Sequence, residues 1–328
     1  MPQLLAAVAA GLGMLVPQSA LAGGAPSVDL RSEFSTVVIG AGTVAPAGDV
    51  NGDGLQDLVV SGARETNNAG RSWVLFAPFE KRIDVQHLRE DQGFAIFGPP
   101  RAHVPQTTAV GDVNGDGLDD VVIGAHETCN FASDCDVTYV VFGKEDGAAV
   151  DLSDIGVNPL YGPGFRILGA GSWDVAGGGD INRDGLADVL VGYYENVYVV
   201  FGRSSYLDVD LEAFDEGSQG SAGYVIKAHD PEHGSPEVAV SGTGDVNGDV
   251  VPDVVMGYVR NDNTAGRAYV VFGKSDESSV DVTRDLSKRY LVHGIKRTTG
   301  YGSWTGYAVA GAGDVNGDGL ADTVVAAP

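Results

Sequence analysis

Along this chain, short runs of β-branched and aromatic residues alternate with breaks rich in Gly and Asp, and no stretch keeps the apolar spacing of a long helix. One kind of run reads RSWVLFAP (71–78), VTYVVFGK (137–144), VYVVFGR (197–203) and GRAYVVFGK (266–274). Another reads STVVIGAG (35–42), GFAIFG (93–98), GFRILGAG (164–171), GYVIKA (223–228) and RYLVHGI (289–295). All but GFAIFG are preceded by a VDL or VDV tract, at 28–30, 150–152, 209–211 and 280–282. A third kind, such as DVVIGA, follows a polar loop, and a small-residue run such as YAVAGAGD (307–314) leads into it. In order these predict four short strands per unit: A before the loop, B after it, C (VVFG) and D (GFRILG).

The polar loop sets the period. Its copies begin at Gly48, Gly111, Gly179, Gly244 and Gly313, and steps of 63, 68, 65 and 69 residues separate their first Asp residues. Near-constant repetition marks stacked or radially arranged units. Four antiparallel strands per period predict an all-β chain, a β-propeller of about five repeats with the last incomplete. The chain opens on a D-type strand and ends on A and B strands. This predicts either a five-unit arc with an incomplete last blade or a fragment of a longer protein.

Each loop places oxygen-bearing side chains at positions 1, 3, 5 and 9, with position 7 offering its backbone carbonyl. Asp, Asn and Asp at alternate positions followed by Gly is how a short loop wraps hard oxygen ligands around Ca2+. The first candidate site is Asp49, Asn51, Asp53, Leu55 and Asp57, and the second Asp112, Asn114, Asp116, Leu118 and Asp120. The third is Asp180, Asn182, Asp184, Leu186 and Asp188. Asp245, Asn247, Asp249, Val251 and Asp253 form the fourth, and Asp314, Asn316, Asp318, Leu320 and Asp322 the fifth. An EF-hand needs an acid at position 12, where this chain has Val60, Ile123, Val191, Met256 and Val325, so these are loops between strands. Up to five structural Ca2+ ions are expected. The fourth loop departs, with Val250 where Gly belongs and Pro252 just beyond. Val at positive φ is strained, so this loop is expected to be reshaped or the weakest site.

With Phe-Gly at Phe142-Gly143, Phe201-Gly202 and Phe272-Gly273, and the DxDxDGxxD-type loop in all five units, the chain resembles the FG-GAP repeats of the integrin α-subunit propeller and its bacterial relatives. In the first unit Phe76-Ala77 replaces Phe-Gly. The resemblance covers about residues 28–328. It implies a Ca2+-stabilised propeller used for adhesion or partner binding at the cell surface. The family's usual blade number is seven, against five repeats here.

Lys and Arg number 20 against 45 Asp and Glu, a net charge of −25, of which five Ca2+ ions would offset ten. Nucleic acid and anionic membrane surfaces are poor partners for such a chain. The apolar run 4–16 and the small residues after it read as a secretory signal cleaved after Ala22, leaving the propeller over 23–328. That run is too short to span a bilayer, and no later one could. In an exported chain, Cys129 and Cys135 are expected to form a local disulfide.

Strand alternation puts the metal loops and C-to-D connections at one face. The B-to-C and D-to-A connections emerge at the other, with Trp173, Tyr193, Tyr194, Tyr301 and Trp304 as candidate contacts to a protein or glycan ligand. No nucleophile elbow, P-loop or paired Cys-x-x-Cys occurs, and Pro231 opposes the helix a zinc site would need in HDPEH (229–233). The reading is therefore a non-enzymatic, secreted or surface-attached binding module. A lectin, or the accessory propeller of a secreted phospholipase-type hydrolase, are the alternatives.

Overall fold

A computed structural model describes residues 12–15, 36–62, 70–99, 102–127, 136–169, 174–215, 222–228, 237–259, 265–294 and 303–328. At the start are β1 (Leu12–Leu15) and β2 (Thr36–Ile39). Blade 1 comprises β3 (Thr43–Gly48), β4 (Asp57–Gly62), β5 (Arg71–Leu75) and β7 (Gly93–Phe97), with β6 (Arg82–Asp84) formed on the way to β7. Blade 2 comprises β8 (Ala102–Gly111), β9 (Asp120–Glu127), β10 (Asp136–Val141) and β12 (Gly164–Leu168), with β11 (Val150–Asp151) between the last two. Blade 3 follows with β13 (Asp174–Gly179), β14 (Asp188–Tyr193), β15 (Asn196–Val200), β16 (Val209–Asp210) and β17 (Gly223–Lys227). Blade 4 has β18 (Glu237–Gly244), β19 (Asp253–Val259), β20 (Arg267–Val271), β21 (Val280–Asp281) and β22 (Arg289–His293). Two strands remain, β23 (Val309–Gly313) and β24 (Asp322–Val325).

In blades 1 to 4 the A, B, C and D strands pair antiparallel in order, so the chain is a β-propeller built of repeated blades whose sheets do not close into a ring. Side chains of neighbouring sheets meet between the blades. Val59, Val74 and Phe94 of blade 1 share a core with Ile123, Tyr139 and Val141 of blade 2, and the later blades repeat this. The middle strands are therefore covered on both faces, which is why DLVVSG and DVLVGY run apolar without alternation.

Each A strand ends in the same device. Its register against B shifts by one residue just before the loop, at Gly48, Gly111, Gly179, Gly244 and Gly313. These glycines have φ between 65° and 88°, a left-handed turn that bulges the strand and throws the chain into the polar loop.

The sequence pattern indicated four antiparallel strands, and the structure adds a fifth, parallel one. The VD tract preceding each D strand crosses to the blade before it. Val150 and Asp151 of β11 pair with Ile96 and Phe97 of β7, Val209 and Asp210 with Ile167 and Leu168, and Val280 and Asp281 with Ile226 and Lys227. In blade 1 the tract reads Arg82-Ile83-Asp84 and lies along Val37–Ile39 of β2, a copy too divergent to recognise from sequence. Each tract straps its own blade to the preceding one and buries an apolar residue under the crossing, as with Ile83, Val150, Val209 and Val280.

At the ends this pattern changes. Among the described residues the last D strand, β22, pairs only with β20, and Val292 is 39% exposed where its counterparts Ile96, Ile167 and Ile226 are at most 1% exposed. Opposite its strap, β2 pairs antiparallel with β1, which holds the place of a C strand. That tract lies inside the run read as a secretory signal. Because each strap buries its Val between blades, Val280→Ala should cost about 2 kcal/mol in urea unfolding, whereas Val292→Ala should cost under about 1 kcal/mol.

Candidate functional site

The five polar loops line one end of the blades, and their side chains build them. The carboxylate at position 1 accepts the backbone N–H of position 6, from Gly54, Gly117, Gly185, Val250 and Gly319, at 2.7–3.0 Å. The Asn at position 3 accepts the N–H of position 5 at 2.7–3.0 Å, and the Asp at position 5 accepts the N–H of position 7 at 2.8–2.9 Å. These are successive Asx turns, the local bonding for which Asn and Asp are favoured in loops. They hold each loop in the conformation that brings its oxygens to one side of the turn.

The Asp at position 9 does something different. Asp57, Asp120, Asp188 and Asp253 are buried at the start of the B strands. One oxygen of each accepts the N–H of loop position 2, from Val50, Val113, Ile181 and Val246, at 2.7–3.0 Å. The other accepts the N–H of the residue after Phe in strand C, from Ala77, Gly143, Gly202 and Gly273, at 2.7–2.9 Å. This is the physical content of Phe-Gly. A Cβ on Gly143 would lie 2.6 Å from the Asp119 carbonyl and 2.9 Å from that of Val50 in the preceding loop, so only Gly fits. The Phe rings then pack against the D strand, Phe142 on Phe165 and Phe201 on Tyr224, with centroids 6.0 Å apart. In blade 1 Ala77 takes the place of this Gly.

Burial of these carboxylates pushes Asp57 and Asp253 up to about 6, Asp188 to about 7 and Asp120 to about 8. The two backbone N–H groups on each oppose that rise, and the charged loop carboxylates nearby add to it.

Neighbouring loops are also joined. The N–H at position 8 donates to the position 1 carbonyl of the preceding loop, Asp119 to Asp49, Ala187 to Asp112 and Ala321 to Asp245, at 2.7–3.0 Å. Leu118 and Leu186 at position 7 pack over Gly52 and Gly115 of the loop before. In the first junction Asp119 adds a carboxylate that accepts the Asp49 N–H at 2.7 Å. The third-to-fourth junction breaks every one of these rules together. Pro252 has no N–H to give, Val251 stands where Leu would, and Arg183 replaces the small Gly of position 4. The Arg183 guanidinium instead donates to the Asp249 carbonyl across the junction. Val250 keeps the loop's bonding at φ 69°, and Arg183 sits at φ 64°. The fourth loop is thus strained rather than reshaped.

The donor set is hard oxygen throughout, and Asp49 Oδ1 is buried without a hydrogen-bond partner, so the residues fit a hard divalent cation. Among the described residues no three His, Cys, Asp or Glu side chains converge as a metal cluster. Leu55, Leu118, Leu186, Val251 and Leu320 take position 7 in their loops, each receiving its Asx-turn bond.

At the opposite end, Tyr194 occupies the tight turn between β14 and β15 at φ 50° and is exposed, with its ring centroid 4.4 Å from that of Tyr193. Trp304 stacks on Tyr307 with centroids 6.4 Å apart. Its segment is bound to the B-to-C end of blade 4, where Ser303 Oγ and the Thr305 N–H both donate to the Ala265 carbonyl. The structure thus adds Tyr307, 61% exposed, to the residues singled out from the sequence. Its place in a small-residue strand pattern gave no signal of this. Trp173, Tyr301, Cys129 and Cys135 lie outside the described residues.

Repeated blades tied at their loops by a buried Asp and a Phe-Gly turn define the class. Residues 41–75 and 104–128 match the FG-GAP repeat, and the chain is similar to integrin α-subunits over about two-thirds of its length. It is 28% identical to integrin alpha pat-2 of Caenorhabditis briggsae over 244 residues, 68% of this chain and 18% of that protein. Integrin alpha-6 of Gallus gallus is 23% identical over 237 residues, 70% of this chain and 20% of its own length. Integrin alpha-PS2 of Drosophila melanogaster is 29% identical over 167 residues, 48% of this chain and 12% of its own length. The chain spans at most about a fifth of these relatives.

Two outcomes follow for the loops. Val250→Gly removes the positive-φ strain and should stabilise the protein by about 1 kcal/mol in chemical denaturation. The raised position 9 carboxylates favour their neutral form in the folded state. They add stability below the unfolded-state value near 4, and that stability is lost as pH rises through about 6 to 8. In EDTA the melting temperature should therefore fall between pH 5 and pH 8. A flat or rising profile in EDTA would contradict the burial of these groups.

Proposed function

We propose that this chain is a secreted or cell-surface, Ca2+-stabilised β-propeller that binds a protein ligand in adhesion. The observation that carries this reading is the all-oxygen loop set repeated five times beside the buried, partnerless Asp49 Oδ1. Ca2+ would be held by the residues at positions 1, 3, 5, 7 and 9 of each loop. Bound there, it would neutralise carboxylates that otherwise repel one another and so lock the loops of adjacent blades. Similarity to integrin α-subunits supports the adhesion role, extracellular placement and a non-enzymatic chain. No helix among the described residues is long and apolar enough to cross a membrane. Removal of residues 1–22 on export would take β1 away and leave the edge of β2 open.

The ligand would meet the end opposite the loops, through Tyr193, Tyr194 and Trp304, and Trp173 and Tyr301 are candidates for the same role from their place in the sequence. Exposed aromatics in irregular loops on a rigid scaffold supply contact area at small entropic cost. A glycan ligand at the same aromatics is the second reading, and a glycan array separates the two. Calorimetric titration with CaCl2 tests the metal. Wild-type protein should bind several Ca2+ ions and melt higher in millimolar Ca2+ than in EDTA, and Asp116→Ala should bind one ion fewer. Equal melting in Ca2+ and EDTA would refute the metal reading.

A further inference from the structure

The C-to-D connections provide an internal control, because the same segment is built four times. In blade 1 it reads QHLREDQ (86–92), in blade 3 EAFDEGSQGSA (212–222) and in blade 4 TRDLSK (283–288), with no more than one large apolar residue each. In blade 2 it reads IGVNPLYGP (155–163). Ile155 turns into the core, but Val157, Leu160 and Tyr161 are 73%, 80% and 68% exposed. They are held outward by a pinned loop. The Leu160 N–H donates to Asn158 Oδ1 at 2.9 Å, the Pro163 carbonyl accepts the Phe142 N–H at 2.8 Å, and two prolines stiffen the span.

The next blade extends this surface. Tyr206 lies beside Gly162 and packs edge-on against Phe142 with centroids 5.7 Å apart, which brings the exposed Leu207 alongside. Four large apolar side chains on two rigid segments are more than scattered surface hydrophobics require.

The charge around the patch is predominantly negative. Asp151, Asp154, Asp208 and Asp210 flank it, against Arg166, which Asp208 binds through contacts of 2.6 and 3.1 Å, and Arg203, whose Nε is buried. A solvent-exposed apolar patch with an acidic rim and its cation already held suits a partner that brings both apolar side chains and positive charge. An anionic lipid surface would be repelled.

We propose that the Val157–Tyr161 loop together with Leu207 is a second docking surface, away from the aromatic end, for a cationic amphipathic segment of a protein partner. It does not depend on which ligand the aromatic end takes. The test uses a short fluorescent peptide of alternating Lys and Leu and its Glu and Leu counterpart, titrated into the Ca2+-loaded chain by anisotropy. The Lys peptide should bind, more weakly as salt is raised, and the triple variant V157S/L160S/Y161S, which leaves the charge unchanged, should lose about tenfold in affinity. Y194S should keep that affinity, which separates this surface from the ligand end. All three positions are exposed, so an unchanged melting temperature certifies the triple variant as folded. Equal binding by wild type and triple variant, or equal binding of the Glu peptide, would overturn the proposal. A wild-type dimer in sedimentation that the triple variant converts to monomer would assign the patch to a second copy of the chain and overturn it equally.

Discussion

Everything in this fold hangs on a buried carboxylate that ties two backbones together. The position 9 Asp accepts one N–H from the loop before it and another from the Phe-Gly turn of strand C, so it fixes loop, strand B and strand C in a single contact. A buried carboxylate with two good donors is strongly directional, and an Ala in its place would leave both N–H groups without an acceptor. The Gly after Phe exists because that approach leaves no room for a Cβ. The Phe then caps the interblade core. The loop Asp and the Phe-Gly turn are thus two sides of one interaction.

Blades are joined by three further links. Straps cross at the outer edge, loop-to-loop N–H bonds run along the end that carries the polar loops, and Lys144 and Lys274 lay their ammonium groups over Phe94 and Tyr224 of the preceding blade at 4.8 and 3.9 Å. Such nearest-neighbour linkage makes a repeat protein tolerant of local divergence, because a weak junction can be compensated within itself. The junction between loops three and four illustrates this. It lost the backbone donor at Pro252 and gained the reach of Arg183, with the shorter Val251 beneath. Arg183 at positive φ is a local cost that the cross-junction bond offsets.

The two ends of the blades differ in regularity. Regular Asx turns and buried carboxylates leave the loop end little freedom to vary, whereas the opposite end is built from connections that differ in length and content from blade to blade. The loop of blade 2 is the exception at the loop end, where a segment that holds at most one large apolar residue in the other blades carries Val157, Leu160 and Tyr161 exposed.

Periodicity alone determined the all-β class, the four antiparallel strands and the five oxygen-rich loops, because short-range spacing is all that strands, turns and Asx bonding require. The strain at Val250 was legible for the same reason, since positive φ at position 6 is a local property. What the position 9 carboxylates of blades 1 to 4 hold was not legible, because the second partner of each lies in strand C, up to 23 residues away. The straps were hidden for a related reason. A two-residue Val-Asp tract carries no strand signal by itself, and it becomes a strand only because the D edge of the preceding blade, more than 50 residues earlier for Val150 and Ile96, presents open hydrogen-bonding groups to it. Arg183 reads as an ordinary loop substitution until the tertiary structure sets it against Pro252. Contacts between blades are set by packing at long sequence separation, which no local pattern encodes.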